Sequence, residues 1–404
     1  MPETNTAAGK KVRRVRHTGR TSQVWIYLGK QMRFFINESD WKVLPMAAVI
    51  AGLVAMVIRR RFFVNMEGSL IGAFALACVG LWNGCFNSIQ AICRERAIIK
   101  REHRSGMHIS SYILAHMIYQ FMLCAAQTVL TMFVLRQLSV PIPRGSGTGV
   151  ITPWMICDLG ITLFLISYAS DMMSLFLSSI SRTTTGAMTL MPFILIFQLV
   201  FSGGIIPLPE WSRPLSNFTI SSYGIRALAS ESGYNELPMT SVWNTLDGMR
   251  DNEIGGNTTV GELLERLDSP ALQKYRDREV IRSFTVGEAA EFFGSEEGKD
   301  STEKLNEPLT AGEIMDFLRN NEMLKEKKDQ VLSLSMTVQE MMDLFGEDNV
   351  RTLVQEKTAQ AARKPEYSKT DVNIIKNWLI LLAFIGIFAL FSTIALELID
   401  KDKR

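Results

Sequence analysis

Histidine and cysteine are scarce in this chain, with four and five residues among 404. His108 and His116 share a helical face, but a zinc site needs more ligands, and His17 and His103 do not complete one. All five cysteines (Cys78, Cys85, Cys93, Cys124, Cys157) fall in or beside the apolar part of the chain. The polar remainder is therefore no disulfide scaffold. Net charge is only +2, which gives no global pull toward nucleic acid. No Gly-x-x-x-x-Gly-Lys-Ser/Thr occurs, so the chain has no phosphate-binding loop of that kind. No catalytic pair is evident, and no catalytic, metal or cofactor residue is assigned. The first forty residues are polar and match neither the n-region nor the h-region of a cleavable signal.

What the chain has in quantity is apolar sequence, 47% of all residues, and it is unevenly spread. It concentrates in 43–208 and 374–396, while 209–372 is polar and charge-rich. Six membrane spans are expected, near 41–58, 69–92, 109–135, 153–180, 187–206 and 374–398. Pro192 is expected to kink the fifth. Before them, 1–21 reads as a disordered basic cytoplasmic arm, open to contact with anionic headgroups or serving only as a solubilising tail. Residues 22–40 read as an amphipathic interfacial helix, with Val24, Trp25, Leu28, Met32, Phe35 and Ile36 near helical spacing. Lys and Arg are commoner in the segments on the N-terminal side, which places both termini in the cytoplasm. The triplet Arg59 to Arg61, with Arg136 and Arg144, runs against that rule. The expected fold is mainly α: a polytopic membrane protein, integral to the plasma (cytoplasmic) membrane. Its divisions are 41–208 for spans one to five, 209–372 for a helical extracytoplasmic insertion, and 373–404 for the sixth span and its tail.

One charged stretch interrupts the apolar runs. Residues 92–106 carry Arg94, Arg96, Lys100, Arg101 and Arg104 against Glu95 and Glu102, with no Gly or Pro from 91 to 104. On a helix Glu95, Ile98, Ile99 and Glu102 form one stripe. Neither Glu has a Lys or Arg three or four residues away, so any partner must come from another element. A solvated loop that only orients the chain is the plainer reading of the same residues. Polar groups inside the spans are expensive in lipid. Asn83 and Asn87 are expected to face protein, and with Asp171 they are the candidates to line a cavity. Asp171 is expected to line a cavity, to pair with another helix, or to sit near the hydrated inner interface.

The insertion contains a repeat. Thr259-Val-Gly-Glu, Thr285-Val-Gly-Glu, Thr310-Ala-Gly-Glu and Thr337-Val-Gln-Glu start 26, 25 and 27 residues apart. Each reads as a capping box, in which Thr caps a helix and the Glu reaches back to the Thr amide. Each continues with two apolar residues, an acid and further apolar residues, which predicts short packed helices.

Several motifs together resemble a known family. Arg94-Glu-Arg-Ala-Ile-Ile-Lys-Arg-Glu-His-Arg-Ser-Gly-Met-His-Ile-Ser-Ser-Tyr112 is one. Phe201-Ser-Gly-Gly-Ile-Ile-Pro-Leu-Pro-Glu-Trp211, followed by Ser222-Tyr-Gly-Ile-Arg-Ala-Leu228, is the other. In order and spacing across six spans they resemble the permease half of type-2 ABC exporters, closest to the ABCG (white/pigment-type) branch. The resemblance covers about 22–230 and 374–398. It implies a dimer of permeases in the lipid bilayer, driven by ABC ATP-binding subunits that hold ATP and Mg. It implies that Arg94, Glu95, Arg96, Lys100, Arg101 and Glu102 contact the ATPase. It also implies that the helix at 22–38 packs beside them, which nominates Lys30 and Arg33 as partners of the two acids. Substrate would pass between protomers along the second and fifth spans. The chain departs from the family in carrying no ATP-binding domain, so transport ATPase activity is expected only with a separate subunit. Its insertion is also longer than the family's usual loop. The alternative is a membrane-anchored interaction protein whose outer repeat domain binds an extracytoplasmic partner.

Overall fold

The computed structural model describes residues 18–37, 40–204, 208–268, 273, 276, 279–285, 308–320, 325–326, 328–329 and 331–398. The chain forms two compact units, Met1–Val242 with Leu353–Arg404, and Trp243–Thr352. The unit apart from the bundle is thus narrower than the polar stretch 209–372.

The first unit is a helical bundle in its described residues. In order come α1 (Arg20–Asn37), α2 (Val43–Ile58), α3 (Met66–Ser88), α4 (Ala91–Arg104), α5 (Ile109–Gln137), α6 (Met155–Ile180), α7 (Thr184–Val200) and α8 (Ile220–Glu231). Among the described residues five helical stretches are long and apolar enough to cross a membrane; α3 and α4 run together in one of them. The helix α7 is apolar but only 17 residues, with Pro192 inside it. At 1.5 Å per residue it extends about 25 Å, short of a hydrocarbon core of about 30 Å.

The hub is α6. Of its most apolar stretch 78% is buried, against 22% for α2. Lipid tails supply no hydrophobic drive between helices, so close approach and hydrogen bonds must hold them. The sequence provides both. A Cβ at Gly84 would collide with the Ser167 carbonyl oxygen, so only glycine lets α3 lie this close to α6. Serines one turn apart on α6 then bond to α3: Ser170 Oγ donates to the Leu81 carbonyl at 2.7 Å and Ser174 Oγ to the Cys85 carbonyl at 3.0 Å.

The helix α8 lies in the polar stretch, yet every residue of it except Arg226 is buried. Gln198 of α7 accepts from the Ile220 and Ser221 amides at 2.7 and 3.4 Å, which satisfies orphan donors at the start of α8. At its other end Glu231 is fully buried and accepts from Thr162 Oγ1 of α6.

The second unit is helix-rich but also carries strands. After α9 (Ser241–Asp247) come β1 (Glu253–Thr259), α10 (Val260–Leu267), β2 (Glu279–Thr285), β3 (Pro308–Thr310), α11 (Ala311–Asn320), β4 (Val331–Thr337) and α12 (Val338–Phe345). Among the described residues two antiparallel pairs form, β1 with β4 and β2 with β3. Every repeat threonine ends a strand. At Thr259, Thr310 and Thr337 a helix begins on the next residue. The repeat is therefore a strand followed by a Thr-capped helix, and copy one pairs with four, copy two with three. Reciprocal capping boxes are present at Thr259/Glu262 and Thr337/Glu340. The helix expected after Thr285 lies outside the described residues. Trp243, Val338 and Met342 form a small core with Leu246 and Val350. Among the described residues two more helices follow, α13 (Glu347–Ala362) and α14 (Asp371–Glu397), the latter packing on α6 and α8 in the bundle.

Candidate functional site

The charged stretch is the helix α4, fixed on three sides. Its apolar positions Ile92, Cys93 and Ile99 are buried, and Glu95 is only 5% exposed. At its start the Ile92 and Cys93 amides both donate to Ser178 Oγ at 3.1 Å, so a side chain from α6 serves as the helix cap. Arg96 donates from one guanidinium nitrogen to the Ser179 carbonyl at 2.8 Å and the Ser181 carbonyl at 3.3 Å. Those carbonyls close the C-terminus of α6, where a positive charge is favoured.

The third side is α1. Lys30 Nζ meets Glu95 Oε2 at 2.9 Å, and Tyr112 of α5 donates to the same oxygen at 3.4 Å. Tyr27 donates to Glu102 Oε2 at 3.1 Å and packs edge-on against Tyr112 at 5.5 Å. Burial first, and the Glu102 carboxylate second, push the Tyr27 phenol above its ordinary value. It therefore remains a donor at any physiological pH. Gln23 ties the far end: its amide donates to the Gly106 carbonyl at 3.2 Å and accepts from the His108 amide at 2.9 Å. Val24 and Leu28 of α1 bury against Ala115, Tyr119 and Leu123 of α5. Each such aliphatic side chain contributes roughly 1.5–3 kcal/mol.

Both acids of the stripe thus find their partners outside α4. Lys30 takes Glu95. Arg33 is exposed and takes neither, and Glu102 is held by Tyr27 instead. On the opposite face Arg94, Ala97, Ile98, Arg101 and Arg104 are exposed, while Lys100 is half-buried. The helix is thus acid-side in and base-side out. The family resemblance nominated Lys30, because it places the helix at 22–38 beside an acid with no partner on its own helix. Sequence reasoning missed Tyr27, Tyr112, Gln23 and Ser178, which are neutral and up to 86 residues away from the groups they hold.

The polar residues of the spans form a second cluster. Asn87 and Gln127 exchange two amide hydrogen bonds, 2.9 and 3.1 Å, between α3 and α5. Asp171, fully buried, accepts from Ser88 Oγ at 2.5 Å, and Gln120 donates to that hydroxyl at 2.8 Å. Asp171 thereby joins α6 to α3 and α5, one turn from the start of α4. Asn83 is buried on α3. Among the described residues no group of three or more His, Cys, Asp or Glu could hold a metal ion.

The comparison with known families bears on this arrangement. The family model for the ABC-2 type transporter matches residues 23–230, from α1 to the end of α8. The chain belongs to the ABC-2 type transporter family. It is an integral membrane protein of that family, with α4 and its α1 clamp inside the matched region. A relative is the ABC transporter ATP-binding/permease protein Rv1747 of Mycobacterium tuberculosis, 29% identical over 201 residues. That alignment covers 47% of this chain and 23% of the relative. The match of the family model stops short of residues 243–352.

Proposed function

We propose that this ABC-2 family chain is the membrane-spanning permease of an ATP-driven exporter, of the ABCG-like branch its motifs resemble. It works as a dimer with separate ATP-binding subunits. The observation that carries the reading is the polarity of α4. Glu95 and Glu102 are clamped to α1, and Arg96 to the end of α6, while Arg94, Arg101 and Arg104 are exposed on the other face. A push on that face passes to α6 directly through Arg96 and Ser178, and to α5 through α1. Since α6 is the most buried of the five long apolar helical stretches, its displacement moves α3, α8 and α14 with it. ATP and Mg belong to the partner in this scheme. The termini and α4 face the cytoplasm of the plasma membrane, and residues 243–352 lie outside.

The name of the mycobacterial relative joins an ATP-binding and a permease function in one protein, which supports the same partnership for this chain. The test is purification of the chain from its native membrane under mild detergent. A stoichiometric partner bearing a phosphate-binding loop is expected. A chain that purifies alone, or only with a ligand of residues 243–352, favours the anchored-interaction reading.

A further inference from the structure

The five arginines that run against the positive-inside rule gather at one place. Arg59, Arg60 and Arg61 follow α2 directly, Arg136 closes α5, and Arg144 lies in the loop before α6. All five are exposed, and among the described residues none has a carboxylate partner. The helices α2 and α5 pack against each other, which makes their arginine ends neighbours. They lie at the end of the bundle where α3 begins, away from α4. Two recesses flank the elbow at 136–140. One, of about 280 Å³, is lined by Arg136 and Arg144 together with Ile142, Trp154 and Ile156. The other is lined by Arg59, Arg60, Gln137 and Ser139.

The sequence leading to each arginine decides what fits. On α5, Val129, Phe133 and Arg136 stand at i, i+4 and i+7, on one face. Val129 is 70% exposed and Phe133 57%. Leu53 and Val57 of α2, with Arg60 just past its end, repeat the same spacing, and Leu53 is 61% exposed and Val57 72%. Each row is an exposed apolar track that ends in a guanidinium. A soluble anion has no use for the track. An amphiphile with a phosphate at one end and alkyl chains at the other matches it along its whole length. The indole of Trp154, 53% exposed in the wall of the first recess, suits the headgroup level where aromatic residues concentrate. Guanidinium matches a phosphate with paired hydrogen bonds.

We propose that this rim is a binding site for an anionic phospholipid. Its phosphate diester seats between Arg136 and Arg144, and its chains lie along Val129 and Phe133. Arg59 and Arg60 receive a second headgroup at the end of the α2 row. Uncompensated positive charge selects a net-negative headgroup over a zwitterionic one. The site is independent of transport direction and of the ATP-binding partner.

The test uses the full purified chain and native mass spectrometry. Phosphatidylglycerol and phosphatidylcholine with identical chains are offered at equal concentration. Retention of phosphatidylglycerol is expected, with the preference lowered by about fivefold for each arginine neutralised, hence about 25-fold in Arg136→Gln/Arg144→Gln. Arg136→Lys/Arg144→Lys keeps the charge and retains most of the preference, which separates charge loss from misfolding. Equal retention of both lipids by the wild type overturns the proposal, as does an unchanged preference in the glutamine pair. Displacement of the lipid by an equal concentration of glycerol 3-phosphate overturns it too, because the site would then take a free phosphate rather than a lipid.

Discussion

Removing the ammonium of Lys30 asks whether charge holds α1 on α4. Lys30→Met keeps the aliphatic stem and leaves Glu95, 5% exposed, with only the Tyr112 hydroxyl at 3.4 Å. Orphaning one partner of a fully buried pair costs roughly 3–5 kcal/mol. The Lys30 side chain is 24% exposed. Water therefore reaches the site, and a cost of about 2 kcal/mol is expected. Glu95→Gln keeps an acceptor for both donors and costs about 1 kcal/mol. The double variant buries no charge and also costs about 1 kcal/mol, less than Lys30→Met alone. Hydrogen exchange of the α1 amides reads this, since it reports local opening. At 1.4 kcal/mol per tenfold, exchange quickens about 25-fold in Lys30→Met and about fivefold in the other two. A double variant that exchanges at the product of the two singles, more than about a hundredfold faster, would refute charge pairing as the cause. So would unchanged exchange in Lys30→Met.

Three further outcomes are expected. Glu102→Lys sets an ammonium against the Tyr27 hydroxyl and the basic face of α4; ATP hydrolysis by the complex continues while transport in reconstituted vesicles is lost, and normal transport would remove Glu102 from the coupling scheme. Asp158, buried at the start of α6, accepts from the Val150, Ile151 and Thr152 amides at 2.7, 3.1 and 2.8 Å. Asp158→Ala leaves three donors unpaired and costs about 3 kcal/mol or more, seen as faster proteolysis in 143–152; resistance equal to wild type would show that the loop is held by other means. Thr337→Ala removes one reciprocal cap and costs about 1 kcal/mol, read as faster exchange in 338–345 with the bundle unchanged; an effect equal to that of a core truncation would be too large for a cap.

Much of this was legible in the sequence because the membrane simplifies it. Apolar runs bounded by charge gave the long helices, and the charged helix expected at 92–106 matches α4 to within two residues. The stripe Glu95, Ile98, Ile99 and Glu102 showed which side of α4 turns inward except at Ile98, which is 40% exposed on the other face. The helix α8 was not legible. Ser221, Ser222 and Ser230 make it read as surface, and what buries it is a set of partners on α6, α7 and α14. Arg33 lost to Tyr27 because a formal charge draws attention that a phenol at the right turn of α1 does not. The strands of the second unit were partly written. Val331–Thr337 alternates leucine and serine at period two, but Glu253–Thr259 carries Gly255 and Gly256 and shows no alternation. The capping boxes drew the reading toward helices alone, although a threonine cap says nothing of what precedes it.

In the proposed mechanism the outward face of α4 is the seat of an ATP-binding subunit. A photo-crosslinking amino acid placed at Ile98, 40% exposed on that face, tests this in intact membranes. The same group at Val49 on α2, 60% exposed, serves as control. The account predicts a crosslink from position 98 to a protein whose sequence holds a phosphate-binding loop, and none from position 49. A crosslink to such a protein from position 49 alone, or from neither position, would contradict it.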